Sequence, residues 1–194
     1  MLERLEPVLV DANMVVDLGA GGASSRRRLK RRFRGAKVVS LDIASDTGAI
    51  PLDDGVADVV FANLLLPRCG DPAALFSEVA RVLRQDGLFA FSAFGPDTLP
   101  ELGFPDMHIV GDAALRAGLR DPVLDVDRTI LGYDKLSVLH RDLADLGLSD
   151  SPAAGEKPLE LELELELVYG HCWGAGPAAR DGSVRIDPAQ ITRR

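Results

Sequence analysis

The segment from residue 15 to residue 22 constrains the fold of this chain more than any other. It reads Val-Val-Asp-Leu-Gly-Ala-Gly-Gly, an apolar run that ends in Asp17 and a cluster of glycines. Leu29 and Phe33 follow at a spacing that puts both on one face of a helix. A strand, a glycine turn and a helix in this order are typical of the first unit of a nucleotide-binding α/β domain, because glycine lets the backbone approach a ligand closely.

A second acid, Asp42, ends the next apolar run at residues 37–41. An acid at this position can accept hydrogen bonds from both hydroxyls of a ribose. The glycine turn and Asp42 together therefore indicate a cofactor of the adenosine type.

Three kinds of cofactor site compete for the glycine turn. The phosphate-binding string Gly-x-x-x-x-Gly-Lys-Ser/Thr is absent from the sequence. The dinucleotide motif Gly-x-Gly-x-x-Gly is broken, because its third glycine falls on Ser24. S-adenosylmethionine remains, since it carries no phosphate and needs a close backbone approach, a ribose acid and an apolar slot for adenine.

Strand-like and helix-like segments alternate along the chain. The apolar runs predict strands at 14–18, 37–42, 58–64, 88–94 and 123–131. Helical spacing predicts helices at 2–9, 23–34, 72–84, near 110–118 and at 134–147. This alternation predicts an α/β, doubly wound, Rossmann-like fold with a mostly parallel sheet. The length of 194 residues favours a single domain over 1–194.

The stretch from Leu159 to Leu167 alternates leucine and glutamate without a break. A period of two places every leucine on one face of a strand and every glutamate on the other. We therefore expect a half-exposed strand at or near a sheet edge, with its glutamates in solvent.

The charge of the chain is unevenly distributed. The net charge of −8 argues against general nucleic-acid binding. Eight of the twelve residues at 26–37 are nevertheless basic, and none of the twelve is acidic. Such a run is either a solvated helix face or a docking patch for an acidic partner.

Other functional classes are disfavoured by composition. No apolar run approaches the roughly 20 residues of a membrane-spanning helix, so we expect no membrane partner. Two cysteines and three histidines provide no metal-ligand set and no disulfide framework. The sequence thus predicts a cytoplasmic chain without a bound metal.

Three segments resemble the motifs of the class I methyltransferases, which use S-adenosylmethionine. They are the glycine turn at 17–22, the stretch 52–63 before the end of a buried strand, and the Arg-Val-Leu-Arg-Gln-Asp-Gly-Leu stretch at 81–88. A narrower resemblance comes from Gly-Pro-Asp-Thr-Leu at 95–99 and Val-Tyr-Gly-His-Cys-Trp-Gly at 168–174. Together with the strings at 104–108, 111–118 and 121–127, these resemble the malonyl-acyl-carrier-protein O-methyltransferases of biotin synthesis.

The resemblance implies a site along the carboxyl ends of the first strands. The cofactor-binding residues that it implies are Asp17, Gly19, Gly21, Asp42, Asp46 and Asn63. The catalytic residues that it implies are Asn63, beside the transferring methyl group, and His108, facing the substrate. Alternatively, Asn63 is a turn residue that ends its strand, and His108 is a loop histidine bonded to backbone.

The chain also departs from the family pattern. Asp42 and Pro51 are nine positions apart, where the family has a helix and a third strand. We therefore expect a shortened member with one strand fewer and a C-terminal antiparallel strand.

Two functions follow from the resemblance. The first is methylation of the free carboxylate of a malonyl thioester on an acyl carrier protein, docked through Arg26, Arg27, Arg31 and Arg34. The alternative is a catalytically impaired binding or assembly factor of the same fold, for example for a respiratory complex.

Overall fold

One mixed sheet organises the molecule. The computed structural model describes residues 1–19, 23–42, 49–69, 72–148 and 158–175. Over these residues the sheet has six strands, which are β1 (Met14–Leu18), β2 (Lys37–Leu41), β3 (Ala57–Asn63), β4 (Leu83–Phe94), β5 (Arg120–Lys135) and β6 (Pro158–Trp173). Their order across the sheet is β2-β1-β3-β4-β6-β5.

The directions of the strands confirm the predicted sheet. β1 pairs in parallel with β2 and β3, and β3 pairs in parallel with β4. β6 is antiparallel to both β4 and β5. Within the described residues no strand lies between β2 and β3 in the chain, in agreement with the predicted loss of one strand.

Helices cover both faces of the sheet. The described α-helices are α1 (Ala23–Arg32), α2 (Pro72–Val82), α3 (Met107–Arg116) and α4 (Leu136–Asp145). Short 3-10 helices span Leu2–Leu5, Leu66–Arg68 and Pro100–Leu102. No helix of the described part is long and apolar enough to cross a membrane.

The predicted helix at 2–9 is wrong in extent. Only Leu2–Leu5 is helical, in the 3-10 form. Pro7 has no backbone N–H and cannot continue the helical hydrogen bonds, so the segment leaves the helix after one turn. β4 begins at Leu83, before the start of the strand predicted at 88–94. Between Leu83 and Leu88 its pairing with β3 is irregular, and Asp86 has a φ of +59° there.

Two apolar clusters lie on opposite faces of the sheet. On one face α2 packs Phe76 against Phe89 and Phe91, with ring centroids 5.7 and 5.4 Å apart. On the other face α1 buries Leu29 and Phe33, as their helical spacing predicts. The sheet is therefore covered from both sides, as in a doubly wound fold.

The strands β5 and β6 extend beyond the end of β4. Phe94, the last residue of β4, pairs with Leu167, and the earlier residues of β6 pair with β5 alone. The side chains of α4 pack against this two-stranded ribbon, where Leu139 and Leu163 share a cluster with Phe94. The ribbon and α4 thus project past the carboxyl edge of the parallel strands.

The alternating Leu-Glu stretch follows the prediction at 162–165 and departs from it at Leu161, which is 42% exposed, and at Glu166. Leu163 and Leu165 are buried, while Glu162 and Glu164 are exposed. Glu166, predicted to face solvent, is instead only 6% exposed. Its carboxylate accepts a hydrogen bond from the backbone N–H of Asp97, at 2.9 Å, which provides a partner for a charge that would otherwise be costly to bury.

The loop 95–98, which carries the Gly-Pro-Asp-Thr string, is bound to β6 around Glu166. The Thr98 hydroxyl donates to the Glu166 carbonyl at 3.0 Å and accepts from the Glu166 N–H at 2.7 Å. A Cβ at Gly95 would lie 2.5 Å from the Glu166 carboxyl carbon, so only glycine fits. The Arg128 guanidinium donates to Asp97 at 2.7 Å. This loop therefore fixes where the ribbon leaves the sheet.

Candidate functional site

The end of β1 holds a buried acid, Asp17. Its side chain is 2% exposed and accepts hydrogen bonds from the hydroxyls of Ser25, at 2.8 Å, and Ser40, at 3.4 Å. Burial raises the pKa of the Asp17 carboxyl above its ordinary value, and the two hydroxyls oppose that rise. Because Ser25 belongs to α1 and Ser40 to β2, this acid joins three elements at the carboxyl edge of the sheet.

Gly19 makes the turn that follows β1. Its φ is +65°, a left-handed conformation that other residues rarely adopt. A Cβ at this position would lie 2.5 Å from Cδ1 of Leu65. Its N–H donates to the carbonyl of Leu41 at the end of β2, at 2.8 Å. Both the turn and the packing of Leu65 thus require glycine.

Asn63 is the last residue of β3, and its side chain is exposed. The hydroxyl of Ser92 donates to Asn63 Oδ1 at 3.2 Å and accepts from the backbone N–H of Leu64 at 3.0 Å. Ser92 is only 1% exposed, so it is a fixed support on the neighbouring strand β4. The carbonyl of the Asn63 amide is engaged, and its NH2 group is available to a ligand.

Asp17, Gly19 and Asn63 line one cavity of about 230 Å³. Asp145 and Leu146, at the end of α4, close the cavity from the ribbon side. Among the described lining residues there are two carboxylates and no lysine or arginine. Leucines supply the apolar wall, so the cavity suits a cationic ligand with an apolar part.

One predicted cofactor-site residue of the described structure, Asp42, is not among the residues that line this cavity. Asp42 follows β2 at the same edge of the sheet and is exposed, outside the lining of the cavity. Gly21 and Asp46 lie outside the described residues. The structure thus brings Asp17, Gly19 and Asn63 together and places Asp42 at the adjacent strand end.

His108 is the other predicted catalytic residue, expected to face the substrate. It is in the first turn of α3, with a side chain that is 78% exposed, and it is not among the cavity residues. Asp106 caps this helix by accepting from the His108 N–H at 2.7 Å, and its carboxylate lies 2.6 Å from the His108 ring. These hydrogen bonds lower the pKa of the Asp106 carboxyl. In the structure His108 is thus the residue whose backbone N–H is bound by the helix cap Asp106.

Several residues that shape the cavity are not marked by any local sequence pattern. Ser25, Ser40 and Ser92 orient the acid and the amide, but a serine in a strand or helix carries no spacing signal. Asp145 and Leu146 reach the cavity only because the ribbon carries α4 past the end of β4. Such long-range placement is not encoded in any local pattern.

Comparisons with known proteins identify the family of this chain. Residues 43–91 match the profile of the methyltransferase domain. The chain is 33% identical to the malonyl-[acyl-carrier protein] O-methyltransferase of Halorhodospira halophila, over 100% of this chain and 86% of that protein. It is 31% identical to the protein of that name from Methylovorus sp., with the same coverage of both chains. The chain belongs to the malonyl-[acyl-carrier protein] O-methyltransferase family. The resemblance to S-adenosylmethionine-dependent class I methyltransferases is therefore confirmed.

Solved structures show the same fold. The YcgJ protein of Bacillus subtilis aligns with a TM-score of 0.61 over 91% of this chain and 97% of its own, at 13% identity. A putative methyltransferase from Bacillus halodurans aligns with a TM-score of 0.58 over 89% of this chain and 96% of its own, at 13% identity. At these identities the likeness establishes the methyltransferase fold alone.

The chain is a shortened member of its family. Its alignment with the Halorhodospira halophila relative spans 255 positions, whereas the whole chain has 194 residues. At least 61 residues of that relative therefore have no counterpart within the aligned region. This agrees with the short distance between Asp42 and Pro51.

Proposed function

We propose that this chain transfers a methyl group from S-adenosylmethionine to the free carboxylate of a malonyl group, carried as a thioester on an acyl carrier protein in the cytoplasm. The single observation that carries the proposal is the cavity at the carboxyl edge, lined by Asp17, Gly19 and Asn63. Ligands of open α/β sheets bind at this edge. The malonyl acceptor is proposed from the names of the relatives.

The residues of the cavity fit a sulfonium cofactor. When bound, S-adenosylmethionine supplies a methyl group on a positively charged sulfur, which leaves as S-adenosylhomocysteine when a carboxylate takes the methyl group. A carboxylate with a pKa of about 4 is already ionised near neutrality, so no general base is needed. The two carboxylates of the cavity favour such a cation, and the described lining holds no basic side chain to oppose it. The chain would contribute orientation of two reactants and exclusion of water.

Each residue has a proposed role. Asp17, Gly19 and Gly21 would contact the methionine part of the cofactor, Asp42 the ribose hydroxyls and Asp46 the adenine amine. The remaining catalytic residue would be Asn63, which Ser92 holds by its carbonyl so that the NH2 group faces the reacting centre. His108 takes no part in this proposal, because its ring is engaged with Asp106 outside the cavity.

Calorimetric titration tests cofactor binding. We expect S-adenosylmethionine and S-adenosylhomocysteine to bind the purified chain, and Asp42→Ala to weaken both by about tenfold because a hydrogen-bonded carboxylate is lost. Asp53→Ala, which removes another exposed acid outside the cavity, is the matched control. Absence of binding up to millimolar concentrations would refute the proposal.

A second candidate function has its own support. The residues that this chain lacks relative to its family favour a binding or assembly factor that keeps the fold without turnover, for example for a respiratory complex. Cofactor binding without methyl transfer to a malonyl carrier protein would favour this second function. Methyl transfer would exclude it.

We also propose that α1 and the segment just after it dock the acidic carrier protein through Arg26, Arg27, Arg31 and Arg34. All four side chains are exposed, and none enters an ion pair within the described residues. Their positive field would attract an acidic partner and accelerate association. The electrostatic attraction would be screened by salt.

Charge reversal tests the docking surface. Arg27→Glu, Arg31→Glu and Arg34→Glu together should lower kcat/KM on the intact carrier protein by about tenfold or more at low salt and remove its salt dependence. A triple reversal elsewhere on the surface, at Arg116, Lys135 and Arg141, changes the net charge equally and should have little effect. Equal loss in both triple variants, or no loss in the first, would refute this docking surface.

A further inference from the structure

One face of α1 forms an open groove of arginines. Ser24, Arg27, Arg28 and Arg31 follow at steps of three, one and three residues, which places them on one side of the helix. They line a cavity of about 420 Å³, which we name the arginine groove. At about 1.5 Å per residue, the groove runs roughly 10 Å along the helix from Ser24 to Arg31.

The arginine groove adjoins the cofactor cavity. Ser24, in the first turn of α1, lines both of them. Moving outward along the helix, the lining changes from serine to three guanidinium groups. A single ligand could therefore place a reacting group toward the cavity and an anionic group over the arginines.

The guanidinium groups of the arginine groove are not used by the fold. None of the ion pairs in the described part of the chain includes Arg27, Arg28 or Arg31. Arg28 and Arg31 also line a second cavity together with Glu3 and Glu6, and no ion pair of the described residues joins these acids to the two arginines.

Arg32, on the inner side of α1, differs from the arginines of the groove because the fold uses it. Its guanidinium donates to the backbone carbonyls of Leu5, at 3.3 Å, and Val8, at 2.9 Å. It anchors the N-terminal segment, whereas the arginines of the groove point to solvent. Three exposed guanidinium groups in one groove match a phosphate, which accepts several charge-assisted hydrogen bonds at once.

We propose that the arginine groove binds the phosphate group of the carrier protein's 4′-phosphopantetheine arm. This inference rests on the proposed function, in which the acceptor is a thioester on a carrier protein. Such an arm carries the acyl thioester at one end and a phosphodiester at the other, which matches a reaction cavity that continues into a cationic groove. Arg26 and Arg34 lie outside the groove and would contact only the protein surface of the carrier.

Binding of the isolated arm tests the arginine groove. With S-adenosylhomocysteine present, 4′-phosphopantetheine should bind the full chain about tenfold or more tightly than unphosphorylated pantetheine by calorimetry. Arg27→Gln with Arg28→Gln should abolish this preference. Lys30→Gln with Lys37→Gln, also exposed, removes the same charge outside the groove and should preserve it.

Two outcomes of these titrations would overturn the proposal. Equal affinity for the phosphorylated and unphosphorylated arms would overturn the proposal. Equal loss of the preference in both double variants would also overturn it, because diffuse charge and not the groove would be responsible. This measurement needs no methyl transfer. A preference lost only in the arginine variant would therefore support the groove even if the chain transfers no methyl group. In that case only the proposed function would fail.

Discussion

At the scale of single residues, Asp17 links the stability of the fold to the candidate site. Burial raises the pKa of its carboxyl, so the folded chain binds this proton more tightly than the unfolded chain does. The contribution of this residue to stability is therefore fully present below its ordinary pKa and is lost as the pH rises through the raised one. The hydroxyls of Ser25 and Ser40 reduce this loss of stability, because they donate hydrogen bonds to the carboxylate.

Asp17→Asn should reveal this dependence. The amide keeps the shape of the side chain and cannot ionise. We expect the free energy of unfolding of the variant, measured relative to the unaltered chain, to increase as the pH rises from about 3 to 7, the range in which buried carboxyls titrate. Urea denaturation at several pH values measures the difference. A difference that is constant or falls over this range would contradict the account.

The residues of the site were only partly predictable from the sequence. Asp17 and Gly19 stand at a strand end and in a glycine turn, where a local pattern marks them. Ser92 was missed because it acts across two strands on Asn63, and only the pairing of β3 with β4 brings them together. His108 was assigned to the substrate from its string, whereas Asp106 binds its ring outside the cavity.

At the scale of elements, the loop 95–98 positions everything beyond the end of β4. Its Thr98 hydroxyl forms hydrogen bonds with both the backbone carbonyl and the backbone N–H of Glu166, and both residues are buried. Thr98→Val should lower the free energy of unfolding by about 1–3 kcal/mol, because a buried N–H and carbonyl lose their partner. Thr129→Val, an exposed threonine on β5, should change it by less than about 0.5 kcal/mol. Denaturant unfolding of both variants measures this, and similar values for the two would refute the role of the loop.

Local patterns predicted the short elements better than the long ones. The strands β1, β2 and β3 lie close to their predicted bounds, because each is an apolar run closed by an acid, a glycine or an asparagine. Both β5 and β6 reach 16 residues, longer than predicted, because they pair with each other where β4 has already ended. The burial of Glu166 and the reach of α4 follow from that extension, which no local period encodes.

At the scale of the whole molecule, we expect residues 1–194 to behave as one domain. Trp173, the only tryptophan, lies at the end of β6, far along the strand from the ribbon and α4. Trp173 fluorescence and far-ultraviolet circular dichroism should therefore give the same denaturation midpoint in a cooperative transition. Separate midpoints would show that the ribbon and α4 unfold independently of the sheet.

We propose methyl transfer to a malonyl carboxylate by a chain that lacks at least 61 residues of its relative. The most direct measurement is intact mass spectrometry of malonyl carrier protein after incubation with the chain and S-adenosylmethionine. We expect malonyl carrier protein to gain one methyl group. Acetyl carrier protein, which has no free carboxylate, should gain none. S-adenosylhomocysteine should inhibit the reaction. An unchanged mass, under conditions where calorimetry shows S-adenosylmethionine bound, would contradict the proposal.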